Sequence, residues 1–343
     1  VNVTTAATVS AATAFFSLRE SHDLASSVSQ HADLPMAALE ERFFEGGEFK
    51  LRPLQPVRDR TVYLLQCLAG TPQAPVSERL LKLLFLLHGL RDAGARQQIA
   101  LLPYLTFARK DRRTQVRDPV NTRYVAQLLE SAGVDRVVTL DVHNPAALDN
   151  SFRVPVDHLS AAPMMADHLV TRLPGTALTV ASPDIGGVKR AQIFRELLEA
   201  RAGREVDLAF FEKRRARGVV SGHTLVGSAK DRTVVIVDDL CATGNTLMRA
   251  AEVCVRAGAT AVYTAVTHVP HPPGLAAILA NPHIIGVITT DSVGFHFGPL
   301  PPEDARKLTV LSIAPLFGQA VRRMLMGKPI APLLERWPVE IES

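Results

Sequence analysis

Two adjacent carboxylates, Asp238 and Asp239, end the apolar run "TVVIV" and are followed at once by the small-residue loop "CATGNT". A strand end needs neither feature for its own stability. The carboxyl ends of strands are where open α/β sheets bind ligands, and carboxylates placed there accept hydrogen bonds from hydroxyl groups. A loop of Ala242, Thr243, Gly244, Asn245 and Thr246 that opens a helix offers an anion backbone N–H groups, threonine hydroxyls and the positive end of a helix dipole. Hydroxyls beside a phosphate describe a sugar phosphate. An aspartate capping an ordinary helix is the plainer alternative; Thr243, Gly244 and Thr246 behind the pair weigh against it.

Two basic clusters follow other apolar runs. "FARKDRRT" (residues 107–114) comes after "QIALLPYL", and "EKRRARG" (residues 212–218) after "DLAFF". Arginine forks and lysine point charges suit a polyphosphate. Taken singly, each cluster is equally a solvated face or an RNA contact; two in matching strand-end positions favour the polyphosphate. Neither G-x-x-x-x-G-K-[ST] nor G-x-G-x-x-G occurs, which excludes a P-loop and a dinucleotide fingerprint. Asp141 and His143 in "TLDVHN", and Asp184 in "VASPDIGGVKRA", mark two further strand ends. A histidine with a carboxylate can hold a divalent ion beside phosphates, although a lone strand-end histidine is also an ordinary hydrogen-bonded loop residue.

The elements that must carry these residues read as α/β. Ten short apolar runs, among them "AFFSL", "TVYLLQCL", "RVVTLD", "ALTVAS", "AVYTAV", "IIGVIT" and "TVLSI", alternate with helical segments, which predicts parallel sheets. The runs lack strict alternation, so their strands are covered on both faces. The joints "RDAGARQQIALLP", "ESAGVDRVVTLD" and "VRAGATAVYTAV" each place Gly at a helix end before a strand, twice in the first half and once in the second. This hints at two related halves.

With 343 residues, 47% hydrophobic and 21% charged, the chain has the make-up of a globular protein of two domains. A net charge of +4 suits an anionic small molecule and falls short of a nucleic-acid-binding stripe. Aromatic residues interleaved for base stacking are scarce. Cys67, Cys241 and Cys254 are odd in number and far apart, so reduced thiols are expected rather than a zinc site or disulfides. The opening "VNVTTAATVSAATAFFSL" lacks a basic region and reads as a leader to the first strand. No run reaches the roughly 18 apolar residues of a membrane span. A cytoplasmic protein with no membrane partner is expected.

In chain order, "FFEGGE", "FARKDRR", "DVH", "SPDIGGVKRA", "EKRRAR" and "VDDLCATGNTL" resemble the motifs of the ribose-phosphate diphosphokinases, or phosphoribosyl pyrophosphate (PRPP) synthetases, across residues 15–328. The last motif is common to type I phosphoribosyltransferases; the ordered set is specific. The resemblance implies two similar phosphoribosyltransferase-type α/β domains, each a mainly parallel sheet flanked by helices. Residues 14–155 would form the ATP side, 156–307 the ribose 5-phosphate side, and 308–343 a C-terminal strand, helix and tail. It implies magnesium-dependent transfer of the diphosphoryl group of ATP to the 1-hydroxyl of ribose 5-phosphate, giving PRPP and AMP, by a homo-oligomer built from dimers with no nucleic-acid partner.

Carried over residue by residue, the resemblance puts Phe44 and Glu48 against the adenine, and Arg109, Lys110 and Asp111 beside the nucleotide. His143 and Asp184 would serve Mg2+. Lys213 and Arg215 would be catalytic, neutralising migrating phosphates from a flexible loop. Asp238 and Asp239 would take the ribose hydroxyls, and Thr243, Gly244, Asn245 and Thr246 the 5-phosphate, with Ala242 in the same loop. Three positions depart from the family's usual pattern: Gly46 for an acidic or amide residue, Lys110 for glutamine, and Ala242 for a third aspartate. The first two touch nucleotide contacts; the third is shared with the similar loop of adenine phosphoribosyltransferases. A weakly active regulatory homologue that associates with PRPP synthetase is a second reading, opposed by the presence of Lys213, Arg215, His143 and Asp184. A PRPP-consuming phosphoribosyltransferase is a third, and would need only one such domain.

Overall fold

A computed structural model describes residues 12–71, 73–216, 219–294 and 300–335; the side chains of 213–223, 334 and 335 lie outside that set. The described residues form two compact units, the first of residues from 12 to Ser160 together with 292–294 and 312–333, the second of most of the remainder.

In the first unit the chain runs through β1 (Thr13–Ser17), α1 (His22–Ala32), β2 (Leu39–Phe43), β3 (Phe49–Pro53), β4 (Thr61–Leu65), α2 (Val76–Asp92) and β5 (Gln97–Leu102). It continues through α3 (Asn121–Ser131), β6 (Arg136–Leu140), α4 (Pro145–Asp149) and β7 (Val156–Leu159). The sheet order is β1-β4-β5-β6-β7, every pair parallel, while β2 and β3 form a separate antiparallel ribbon. Helix α2 buries Leu80, Leu83, Leu87 and Leu90, three or four residues apart, which sets one face against the sheet. Strands β1 and β4 are buried throughout, as continuous apolar runs require.

The second unit contains α5 (Ala162–Arg172), β8 (Leu178–Ser182), α6 (Val188–Ala202), β9 (Val206–Ala216), β10 (Val219–Val226), β11 (Thr233–Leu240) and α7 (Asn245–Arg256). After these come β12 (Ala261–His268), α8 (Pro272–Leu279), β13 (Gly286–Thr290), α9 (Pro302–Lys307) and β14 (Leu308–Leu311). Its seven strands are ordered β10-β9-β8-β11-β12-β13-β14, parallel except for β10 on β9. Helix α7 buries Leu247, Ala250, Ala251 and Cys254 over a core that includes Val234, Ile236 and Val266.

Each of the ten apolar runs carries a strand, and both units are α/β with mainly parallel sheets flanked by helices. Three placements differ from those expected. Strand β7 pairs with β6, so the division between units falls after Ser160, a strand later than residue 155. Residues 308–343 do not stay together: β14 joins the second sheet, while α10 (Ala314–Leu325) packs on α1 of the first unit. Lys213 and Arg215 lie within β9, opposite His223 and Val220 of β10, rather than in a loop.

Candidate active site

In the second unit β11 lies between β8 and β12 and delivers Asp238 and Asp239 at its carboxyl end. Asp239 is buried and Asp238 partly so. Arg190, on the first turn of α6, grips both: Nη1 lies 2.9 Å from Asp238 Oδ1 and Nη2 lies 2.8 Å from Asp239 Oδ1. The Asp239 N–H also donates to Asp238 Oδ1 at 2.9 Å. Burial, then the Asp239 carboxylate, raises the Asp238 pKa above the usual carboxylate range, and Arg190 pulls it the other way.

The following loop is fixed from behind. The Cys241 N–H donates to His268 O at 2.9 Å, and α8 backs the loop where Gly274 meets Ala242. Gly244, at φ 78°, is the N-cap of α7, and no side chain of the described residues caps that helix. Its first-turn amides are therefore left to a ligand or water. Thr243, Asn245 and Thr246 are exposed at this end, while Ala242 is half-buried. Burial, then Asp238, pushes the Cys241 thiol up to about 11, so it stays protonated at neutral pH.

Asp184 follows β8 and caps the short turn Ile185–Gly187: its Oδ1 accepts from the Gly187 N–H at 3.1 Å. The Ser182 hydroxyl donates to the Asp184 carbonyl at 2.6 Å, which fixes the same turn.

In the first unit the β2–β3 connection presents Phe44 and Glu48 to solvent. The Phe44 N–H donates to Glu48 O at 2.8 Å, and Gly46 and Gly47 turn the chain at φ 83° and 89°, which only glycine adopts without strain. The Arg42 guanidinium stands 5.1 Å from the centre of the Phe44 ring.

The basic loop after β5 is organised by a residue the sequence reading did not single out. Asp118 accepts from Lys110 Nζ, from Thr114 Oγ1 at 2.7 Å, and from the Thr114 and Gln115 N–H groups at 3.0 Å. The Lys110 bond, then those from Thr114 and Gln115, holds its carboxyl well below the usual range. Lys110 is thus committed to a loop staple, whereas Arg109 is exposed. Asp111 Oδ2 accepts from Asn144 Nδ2 at 2.6 Å, and Asn144 Oδ1 accepts from the Ala147 N–H to cap α4. Asn144 therefore joins the basic loop to the strand end that carries exposed His143. Asp141, beside it, takes φ 36° and accepts from Ser160 Oγ at 2.8 Å.

The expected residues thus fall into groups. Asp238, Asp239 and the 242–246 loop are adjoining; Arg109, Lys110 and Asp111 share one loop; Phe44 and Glu48 share one turn. The side chains of Lys213 and Arg215 lie outside the described residues. Arg190, Asn144 and Asp118 were missed. Arg190 was within reach, because it stands in the quoted "SPDIGGVKRA" on the first turn of the helix.

Among the described residues no group of three or more His, Cys, Asp and Glu side chains gathers as a metal cage. None of their helices is long and apolar enough to cross a membrane.

Comparison with known proteins agrees with the geometry. Residues 13–133 match the N-terminal domain of ribose phosphate pyrophosphokinase, and residues 160–299 match the phosphoribosyl transferase domain. A ribose-phosphate pyrophosphokinase of Caldanaerobacter subterraneus subsp. tengcongensis is 35% identical over 90% of this chain and 94% of its own. Ribose-phosphate pyrophosphokinase 1 of Streptococcus agalactiae is 34% identical over 93% of this chain and 96% of its own. The crystal structure of phosphoribosylpyrophosphate synthetase from Mycobacterium smegmatis superposes with a TM-score of 0.82 at 29% identity, covering 92% of this chain and 99% of that one. With similarity of this extent across both units, the chain belongs to the ribose-phosphate pyrophosphokinase family.

Proposed function

We propose that this chain transfers the diphosphoryl group of ATP to the 1-hydroxyl of ribose 5-phosphate, releasing AMP and PRPP. The observation that carries the reading is one strand end that joins two aspartates to a helix N-terminus that no described side chain caps. Hydroxyl acceptors there adjoin a phosphate cradle. Relatives of nearly the same span bear the name ribose-phosphate pyrophosphokinase. Asp238 and Asp239 accept from ribose hydroxyls; Thr243, Gly244, Asn245 and Thr246, with the main chain of Ala242, hold the 5-phosphate. In the first unit Phe44 and Glu48 receive the adenine. Arg109 and Asp111 lie beside the nucleotide, with Lys110 acting through its staple to Asp118.

The 1-hydroxyl oxygen attacks the β-phosphorus of ATP, the bond from that phosphorus to the α–β bridging oxygen breaks, and AMP departs with its electrons. The hydroxyl proton passes to solvent. Such transfers need little covalent help, so positioning and charge stabilisation carry them. Lys213 and Arg215 supply cations for the migrating charge.

We infer that the metal is magnesium. It keeps several waters and takes one or two carboxylates plus substrate phosphates, so the lack of a three-residue cage among the described residues is compatible with it. On the protein side, Asp184, partly exposed at a strand end, would serve magnesium in the second unit, and exposed His143 in the first. When bound, it withdraws charge from the β- and γ-phosphates. The same reading extends to a homo-oligomer built from dimers and to a cytoplasmic location.

The test is ATP turnover with magnesium, in the presence and absence of ribose 5-phosphate. AMP is expected only when the sugar is present. Binding of both substrates without turnover would make the chain a regulatory homologue and contradict the reading.

A further inference from the structure

Arg190 reaches the aspartate pair because the preceding turn is built to deliver it. The Ser182 hydroxyl and the Gly187 N–H both bond to Asp184, at 2.6 and 3.1 Å, which fixes where α6 begins. Gly187 is needed for space: a Cβ there would come within 2.6 Å of Ser182 Oγ and 3.4 Å of Arg190 Nη1. Helix α6 then packs against β8 and β11, and its third residue lies at the end of β11.

The contact has two physical consequences. One planar guanidinium holds an oxygen of each of two consecutive carboxylates, at 2.9 and 2.8 Å, so both side chains are fixed by a single rigid fork. A lysine would supply one point charge and no fork. Two carboxylates this close also repel, and Arg190 offsets one of the two negative charges. Among the described residues it is the cation that acts on Asp238, while the nearby Cys241 thiol is neutral and His268 closes β12 opposite Leu240.

We propose that Arg190 is the positioning residue of the sugar site, holding Asp238 and Asp239 side by side as a pair of acceptors for two neighbouring hydroxyls. This rests on the ribose 5-phosphate reading and deepens it. Hydroxyl recognition and the Asp184 turn then share one support, so the seven residues from Asp184 to Arg190 act as a unit.

Calorimetry on the full chain tests the clamp, with ribose 5-phosphate, 2-deoxyribose 5-phosphate and a non-hydrolysable ATP analogue as ligands. R190M is expected to weaken ribose 5-phosphate by about 10- to 100-fold, in line with loss of charge-assisted hydrogen bonds. It should affect the deoxy sugar less and the ATP analogue not at all, so discrimination between the sugars collapses. R190K keeps the charge without the fork and should recover only a small part of the loss. Should R190M fail to fold, R190K decides alone. Wild-type affinity and discrimination in the folded variants would overturn the clamp while leaving the functional reading intact. A wild-type chain that binds no ribose 5-phosphate would overturn both.

Discussion

Asp238 sits where burial and a neighbouring carboxylate favour its protonated form, with Arg190 opposing them. Its folded pKa lies above its unfolded one, so folding is penalised as the group ionises. Below about pH 4, the ordinary carboxylate range, both states are protonated and no penalty exists. The penalty grows as pH rises from there and is complete above the raised folded value. Asp238→Asn should therefore raise Tm relative to wild type at pH 8, by about 0.5–2 kcal/mol of stability, and the gain should vanish toward pH 4. A thermal scan at the two pH values checks this, and an equal effect at both would contradict it. Lys213 and Arg215 act on migrating charge in the proposed reaction, so Ala at either should cost about 10²-fold or more in kcat with little change in KM for ATP. Steady-state kinetics showing near-wild-type turnover would reduce the pair to surface charges. The aspartates and the phosphate loop were legible because their chemistry is contiguous in sequence. Asn144 and Asp118 were not, and Arg190 was visible in its motif without its role, since each acts through a partner: Asp238 lies 48 residues from Arg190 and Asp111 lies 33 from Asn144.

The phosphate loop depends on the element behind it. A Cβ on Gly274 of α8 would stand 2.1 Å from Ala242 O and 2.8 Å from its carbonyl carbon, and neither backbone atom can rotate away. Gly274→Ala should displace the loop, costing about 1–3 kcal/mol of stability as overpacking does. It should also weaken ribose 5-phosphate while sparing the ATP analogue, as read by calorimetry; unchanged sugar affinity would show that the loop is not held from α8. On the first unit, the β2–β3 ribbon is attached through charge as well as contact. Lys82 of α2 is fully buried, pairs with Glu20 and with Glu41 of β2 at 3.3 Å, and lies 4.8 Å from the centre of the Phe43 ring. Lys82→Met strands two carboxylates and should cost about 3–5 kcal/mol in denaturant unfolding. Adding Glu20→Gln and Glu41→Gln should restore much of it, and a stable single variant would contradict the account. This ribbon escaped the sequence reading because "LEERF" and "FKLRP" are charged, partly exposed and paired only with each other. Strand β7, "VDHL", was missed because it is short and lies at a sheet edge, with three of its four residues only partly buried.

Across the molecule, alternating apolar runs and helices were enough to read two α/β units, since strands covered on both faces must be continuously apolar. Where α10 docks was not legible: its amphipathic pattern demands a partner but names none, and the close approach of Gly318 to His31 of α1 exists only in the folded chain. The central claim concerns the group that moves. 31P NMR of a reaction containing ATP, magnesium and ribose 5-phosphate should show a diphosphoryl group bonded to C1 of the sugar, with AMP growing in equal amount. ADP together with a single phosphoryl group on the sugar would contradict the account.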